Sequence, residues 1–218
     1  MARFRVRQHV NPLSQKYQTV VIPPQWEKVY QNPTLPLHLD IGCGWGEFLL
    51  TMAQLHRDVN FLGLEIREPL VDKANKEREE LGLNNLHFLF CNVNNSLSAL
   101  LESLPGQNLQ WVTIQFPDPW FKRRHNKRRV VNPDLVNTLA QYLRLGGEVF
   151  LQSDVEVIIK QMHQGFALHP DFKQKYGEEW LTENPFPPTE REVYTLKKEQ
   201  PVYRVLFEKN KNNFLESC

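Results

Sequence analysis

Apolar residues recur along this chain in two alternating rhythms. Short apolar runs bounded by Gly, Pro or polar clusters stand at Leu37–Ile41, Asn60–Glu65, Leu86–Phe90, Leu109–Phe116 and Glu148–Gln152, and they predict five strands. Between them the spacing turns helical. Phe48, Leu49, Met52, Ala53 and Leu55 predict a helix from Gly46 to about His56. Pro69 suits the first turn of a helix over Leu70–Leu81, which Gly82 stops. Further helices are predicted over Leu97–Leu104, Pro133–Leu143 and Val155–Leu168, and a last strand over Val202–Glu208. Residues 117–132 read as a long polar loop.

Strand and helix alternate throughout. That predicts an α/β fold with a mostly parallel central sheet and helices on both faces. Residues 1–36, a basic arm and a Pro-rich lead-in, would precede a single domain over 37–218. Ligands of such sheets sit beyond the carboxyl ends of the strands. The residues at those ends are Asp40 to Gly46, Glu65, Asn92, Pro117 to Lys122, and Ser153 with Asp154.

Composition narrows the class. Thirteen Phe, five Trp and six Tyr among 218 residues exclude disorder as the main state. No apolar stretch approaches the roughly 20 residues that span a bilayer. The opening MARFRVRQHV has no apolar segment behind its charges, so it does not read as a secretory signal. Cys43, Cys91 and Cys218 form no CxxC, which argues against a disulfide framework or a cysteine zinc site and for a cytoplasmic protein. Net charge is +1, yet residues 122–129 hold six Lys or Arg and residues 1–26 hold four, with no acid in either. The rest of the chain then carries 16 basic against 25 acidic residues. Positive charge so concentrated points to a polyanion contacted locally.

The segment LDIGCGWGEF places Gly42, Gly44 and Gly46 between the first strand and its helix. Its spacing is not GxGxxG, and a plain structural turn would look the same. The surrounding charge separates the options. A carboxylate at Glu65, 19 residues past Gly46, can accept both hydroxyls of a ribose. A pyrophosphate, however, would meet Asp40 and Glu47 with no Lys or Arg in the loop. A sulfonium cofactor with an amino group and no phosphate suits these charges better, which describes S-adenosylmethionine. Asp40 could cap a turn or approach the cofactor's amino group, and Cys43 reads as a small loop filler.

QFPDPWFKRRHNKRR is the most informative stretch. Two prolines restrict Asp118 where a methyl donor would point. Trp120 and Phe121 offer flat surfaces for a base, or else core packing, and the basic run offers contacts to a phosphate backbone. Here the resemblance becomes specific. LDIGCGWGEF, FLGLEI, FPDPWFKRRHNKRR, QSD and TERE occur in the order and spacing of the single-chain bacterial tRNA (guanine-N7-)-methyltransferases, over about residues 37–208. The chain resembles that family, whose Rossmann-like fold uses S-adenosylmethionine to methylate a variable-loop guanosine of tRNA. The resemblance implies no obligatory protein partner and no metal, and it leaves the oligomeric state open.

Carried over by position, the resemblance gives Asp40, Gly42, Gly44, Glu65, Asn92 and Asp118 to the cofactor, and Asp118 to catalysis. It gives Lys122, Asp154 and Thr189, Glu190, Arg191 and Glu192 to the tRNA substrate. Arg124, His125, Asn126, Lys127, Arg128 and Arg129 would be its RNA-binding segment. Asn92 stands where many relatives have Asp, and its carbonyl oxygen could still meet adenine's amino group. Asp40 stands where Glu is common. Without the resemblance, Thr189 to Glu192 would read as a helix-capping S/T-x-x-E and Asp154 as another cap. Three competing readings are an NAD-dependent oxidoreductase, a methyltransferase acting on adenine or cytosine amino groups, and a non-enzymatic RNA-binding module.

Overall fold

The computed structural model describes residues 10–106, 108–121, 123–177 and 180–211, with the side chains of Arg123, Arg124 and Asn126 outside that description. Lys122 and the arginines of the N-terminal arm, Arg3, Arg5 and Arg7, also lie outside it.

Seven strands form one sheet: β1 (Leu37–Ile41), β2 (Asn60–Glu65), β3 (Leu86–Phe90), β4 (Leu109–Gln115), β5 (Glu148–Ser153), β6 (Phe172–Gln174) and β7 (Tyr203–Lys209). Their spatial order is β3-β2-β1-β4-β5-β7-β6. The first five run parallel, and β7 lies antiparallel to both β5 and β6. Strand order reverses between β1 and β4, so a crevice opens where both strands end.

The helices are α1 (Trp26–Val29), α2 (Glu47–Leu55), α3 (Glu68–Glu80), α4 (Val93–Glu102), α5 (Pro133–Tyr142), α6 (Glu156–Ala167) and α7 (Glu190–Lys197). Side chains alternate across a strand, so each face of the sheet has its own core. Leu37, Leu39, Ile41, Leu62, Leu64, Val112 and Ile114 pack with α4, α5 and α6. On the other face Phe61 and Phe88 pack with Phe48, Leu49, Met52 and Ala53 of α2 and Val71 and Ala74 of α3. The Pro-rich lead-in joins the larger core: Trp26 and Tyr30 are buried, and their indole and phenol donate to Ser103 Oγ at 2.9 Å and to the Phe61 carbonyl at 3.1 Å.

Three elements depart from the expected pattern. Helix α4 starts at Val93, four residues before Leu97, because the Asn92 side chain accepts the Asn94 amide and caps it. A 3-10 turn over Arg123–Arg128 occupies the polar loop. The three-residue β6 is too short to show a rhythm, and it borrows its pairing from β7.

Gly46 sets how closely the first turn meets the sheet. Its φ is +82°, and a Cβ there would stand 2.7 Å from Phe88 and 2.9 Å from Ala74. Gly46→Ala would pay both left-handed strain and overpacking, so it should destabilise the fold by roughly 2–4 kcal/mol. Urea unfolding of the variant beside wild type measures this.

Candidate active site

The crevice at the reversal point is walled by Ile41 and Gly42 from the first turn, Leu64 to Arg67 beyond β2, and Cys91 to Asn94 beyond β3. Phe116 to Asp118, Trp120, Arg128 and Val130 close it from the loop after β4, and Val10 and Pro12 from the N-terminal side. Gly42 and Gly44 have φ of +81° and +58°, and no atom lies within 4 Å of where a Cβ would stand. These two glycines leave the turn's backbone bare, whereas Gly46 lets it pack.

Glu65 is buried at the end of β2, and its carboxylate accepts four hydrogen bonds. Oε1 takes the Arg67 amide at 3.0 Å and Arg67 Nε at 2.9 Å. Oε2 takes a second guanidinium nitrogen at 2.9 Å and the Gly44 amide at 3.0 Å. Arg67 was not singled out from sequence, although an arginine two residues after a strand-end acid was there to be noticed. Burial works against its charge, and Glu65 and then Asp118 outweigh that and leave its pKa raised.

Asp40 lies beneath the turn. Its Oδ1 accepts the Thr113 hydroxyl at 2.6 Å, and Thr113 Oγ1 lies 3.2 Å from His38 Nε2. With the hydroxyl proton given to Asp40, the histidine must donate, which requires the neutral tautomer protonated on Nε2. Burial raises the Asp40 pKa to about 7, against the hydrogen bond from Thr113, and burial lowers that of His38 to about 3. Thr113 too was missed, although its register opposite Asp40 follows once the strands pair. Burial also pushes the Cys43 thiol well up, consistent with a filler and not a nucleophile.

Asn92 reaches the crevice with its amide largely committed. Its Oδ1 caps α4, and its Nδ2 donates to the carbonyls of Pro12 at 3.1 Å and Tyr17 at 3.2 Å. The oxygen expected to meet an adenine amino group thus already accepts one bond and keeps one lone pair. What the amide does, and a carboxylate could not, is hold the N-terminal segment across α4.

Asp118 stands on the crevice wall between Pro117 and Pro119. Phe116 and Trp120, on either side, have φ of +48° and +39°, a region that costs non-glycine residues energy. Trp120 is not an open stacking surface: the Arg128 guanidinium lies 4.8 Å over its ring and the His125 ring meets it edge-on at 5.5 Å. Phe121 is the exposed aromatic, at 70 %. Lys127 is exposed and Arg129 is half-buried.

At the end of β5 the Asp154 carboxylate accepts Arg191 Nε at 3.0 Å and a second guanidinium nitrogen at 2.5 Å. Thr189 caps α7, accepting the Glu192 amide at 3.2 Å. Glu192 does not face the same space. It is buried and accepts Arg204 at 2.6 and 3.1 Å and Asn184 at 2.6 Å. Burial, then a hydrogen bond with Glu190, raises the Glu47 pKa, so α2 and α7 start against each other. Arg191 thus meets Asp154 and Glu190 meets Glu47, while Glu192 anchors the helix that Thr189 caps. Among the described residues no group of three or more His, Cys, Asp or Glu could hold a metal ion, and no helix is long and apolar enough to cross a membrane.

The Methyltransf_4 methyltransferase family model matches residues 34–205. The chain is 61 % identical over 208 residues to the tRNA (guanine-N(7)-)-methyltransferase of Microcystis aeruginosa, covering 95 % of this chain and 99 % of that protein. It is 62 % identical over 206 residues to the protein of the same name in Trichormus variabilis, covering 94 % and 96 %. In fold it is similar to a precorrin-6y C5,15-methyltransferase from Geobacter metallireducens (TM-score 0.55, 13 % identity, 80 % of each chain covered). An rRNA methylase from Streptococcus thermophilus is similar too, with TM-score 0.52, 13 % identity and 82 % and 89 % covered.

Asp40 makes a prediction about stability and pH. A carboxyl raised from 3.8 to about 7 favours the fold while protonated, and that contribution is lost as pH rises from about 4 to 7. His38, lowered to about 3, acts oppositely, since its neutral form favours the fold as pH rises toward 6.5. The two oppose each other in wild type. Asp40→Asn keeps the acceptor and removes the titration, so its stability relative to wild type should grow between pH 4 and 7 and level off above. The gain is on the order of 2–4 kcal/mol, read from urea unfolding at pH 5 and pH 8.

Proposed function

The chain belongs to the Methyltransf_4 family of methyltransferases, and from that membership we propose that it methylates N7 of a guanine in tRNA, the variable-loop guanosine, giving 7-methylguanosine. The observation that carries this reading is that the glycine turn, Glu65 and Asp118 wall one crevice. The enzyme is S-adenosylmethionine-dependent, and a tRNA substrate supports a cytoplasmic site of action.

The crevice suits that cofactor. Its turn has bare backbone and no Lys or Arg to meet a diphosphate. The two cations on the wall are already matched, Arg67 to Glu65 and Asp118, and Arg128 to the Trp120 ring. Glu65, by exchanging Arg67 donors for ribose hydroxyls, and the Gly42–Gly44 backbone would hold the nucleoside, and Asp40 would sit beneath the methionine end. Asn92 would approach the adenine. When bound, the cofactor supplies an electrophilic methyl group on a sulfonium.

Guanine N7 has an in-plane lone pair that is free at neutral pH, so no proton must leave before it attacks. The protein's task is alignment, and proximity and orientation supply most of the rate. Asp118, held between two prolines, would accept hydrogen bonds from the Watson–Crick edge of guanine and so exclude adenine, which offers no matching pair of donors. Asp154, Thr189, Glu190 and Arg191 would close over the substrate from the C-terminal side. Phe121 and Lys127, both exposed, present stacking area and charge to the RNA.

Incubation with radiolabelled cofactor and bulk tRNA should yield labelled 7-methylguanosine on nucleoside analysis. Label in methyladenosine or methylcytidine, or none, defeats the reading. Asp118→Asn keeps the shape and removes the charge, and should lower kcat by roughly a hundredfold and loosen the guanine preference. Turnover and preference equal to wild type would dismiss that role. Lys127→Ala should reduce the salt slope of tRNA binding by about 0.7–0.9, measured by filter binding across a salt series.

A further inference from the structure

The basic run after β4 reads in sequence as one phosphate-binding segment, yet its described side chains face two ways. Lys127 points to solvent. Arg129 points inward: its guanidinium donates to the Trp120 carbonyl at 3.2 Å and to Gln161 Oε1 on α6, and its Nε is buried without a partner. Arg128 lies over the ring of the same tryptophan. Two of its N–H donors are thus committed to acceptors within the protein.

What these two arginines grip is the strained end of the loop that carries Asp118. Left-handed φ values at Phe116 and Trp120 bracket Pro117, Asp118 and Pro119, and such strain persists only where the surroundings over-determine it. The Phe116 end is fixed from β5, by its amide donating to the Gln152 carbonyl at 2.8 Å. The Trp120 end has no strand beside it. There Arg129 holds the backbone carbonyl and Arg128 and His125 meet the ring, with Gln161 holding Arg129 against α6.

We propose that Arg129, assisted by Arg128 and seated by Gln161, is a positioning residue that clamps Trp120 and thereby sets where Asp118 meets the guanine. The inference rests on the methyl-transfer reading above. An arginine suits the task because its rigid planar fork holds two separated acceptors in fixed directions, whereas a lysine's ammonium is a compact, freely rotating point charge. A cluster that looks like one electrostatic patch thus divides by neighbour: the outward part serves RNA affinity, the inward part serves the geometry of the reacting loop.

The test compares Arg129→Gln, Arg129→Lys and Gln161→Leu with wild type in two measurements: kcat at saturating tRNA, and the slope of log tRNA affinity against log salt. A clamp predicts that all three lower kcat by about tenfold or more, through misplacement of the reacting groups, with salt slopes equal to wild type. Gln161→Leu is the decisive arm, since it changes no charge and lies on α6 away from the reacting groups. Wild-type kcat in Gln161→Leu, together with a slope reduced by about one in Arg129→Gln, would overturn the proposal and return Arg129 to the phosphate contacts. A wild-type chain that transfers no methyl group to tRNA would defeat the function and not the clamp, whose slope prediction is read from binding alone.

Discussion

Everything at the carboxyl edge of the sheet depends on how two buried carboxylates are accommodated. Removing an anion from water costs several kcal/mol unless hydrogen bonds replace the lost solvation. Glu65 recovers that cost with four donors, and one of them, the Gly44 amide, belongs to the turn after the neighbouring strand. The bond therefore ties the position of the glycine turn to the end of β2. Asp40, a few residues away, has the Thr113 hydroxyl and little else, and its pKa rises to about 7. One acid is held rigidly by its donors, and the other, short of donors, is shifted by burial toward neutral pH.

Most of the sheet was legible in the sequence because each early strand is an apolar run closed by a sharp change of rhythm. β1, β2 and β3 fall where Leu37–Ile41, Asn60–Glu65 and Leu86–Phe90 were expected. The start of α4 was not, since Val93, Asn94 and Asn95 look like loop, and only the side-chain cap by Asn92 makes them helical. For α7 the capping pattern at Thr189 was visible and its consequence is a helix, but nothing local reveals that Glu192 turns to Arg204, twelve residues on and across from β5. The resemblance supplied the roles of Asp118 and Asp154, which periodicity alone could not. Neither source separates Lys127 from Arg129. Both are cations two residues apart, and whether one faces water or a carbonyl is decided by α6, which comes thirty residues later.

The chemistry explains why rigidity is concentrated after β4. A nucleophile that needs no deprotonation gains nothing from a tuned base, so its rate depends on alignment, and alignment depends on where one loop is held. The prolines at 117 and 119 remove freedom from the backbone on both sides of Asp118. The left-handed residues at 116 and 120 bend that stiff unit back toward the crevice. Such a bend costs of order 1–3 kcal/mol per residue, and the contacts at its two ends offset it, a strand amide at one and a guanidinium at the other. A softer loop would fold more easily and would place its carboxylate less well.

The C-terminal side is built on the opposite principle. Its two ion pairs differ in burial and hence in consequence. Arg204 and Glu192 are almost fully enclosed, so losing either partner would strand a charge inside the protein. That pair fixes α7 to the sheet. Arg191 reaches Asp154 from an exposed position, more than half accessible, where water competes and an ion pair is worth at most about 1 kcal/mol. Arg191 can therefore exchange its carboxylate for a substrate group at small cost while the helix beneath it stays seated. Asp118 thus sits on a loop stiffened by prolines and end contacts, whereas Arg191 sits on a contact that yields at small cost, so the two sides of the strand-end edge differ in rigidity.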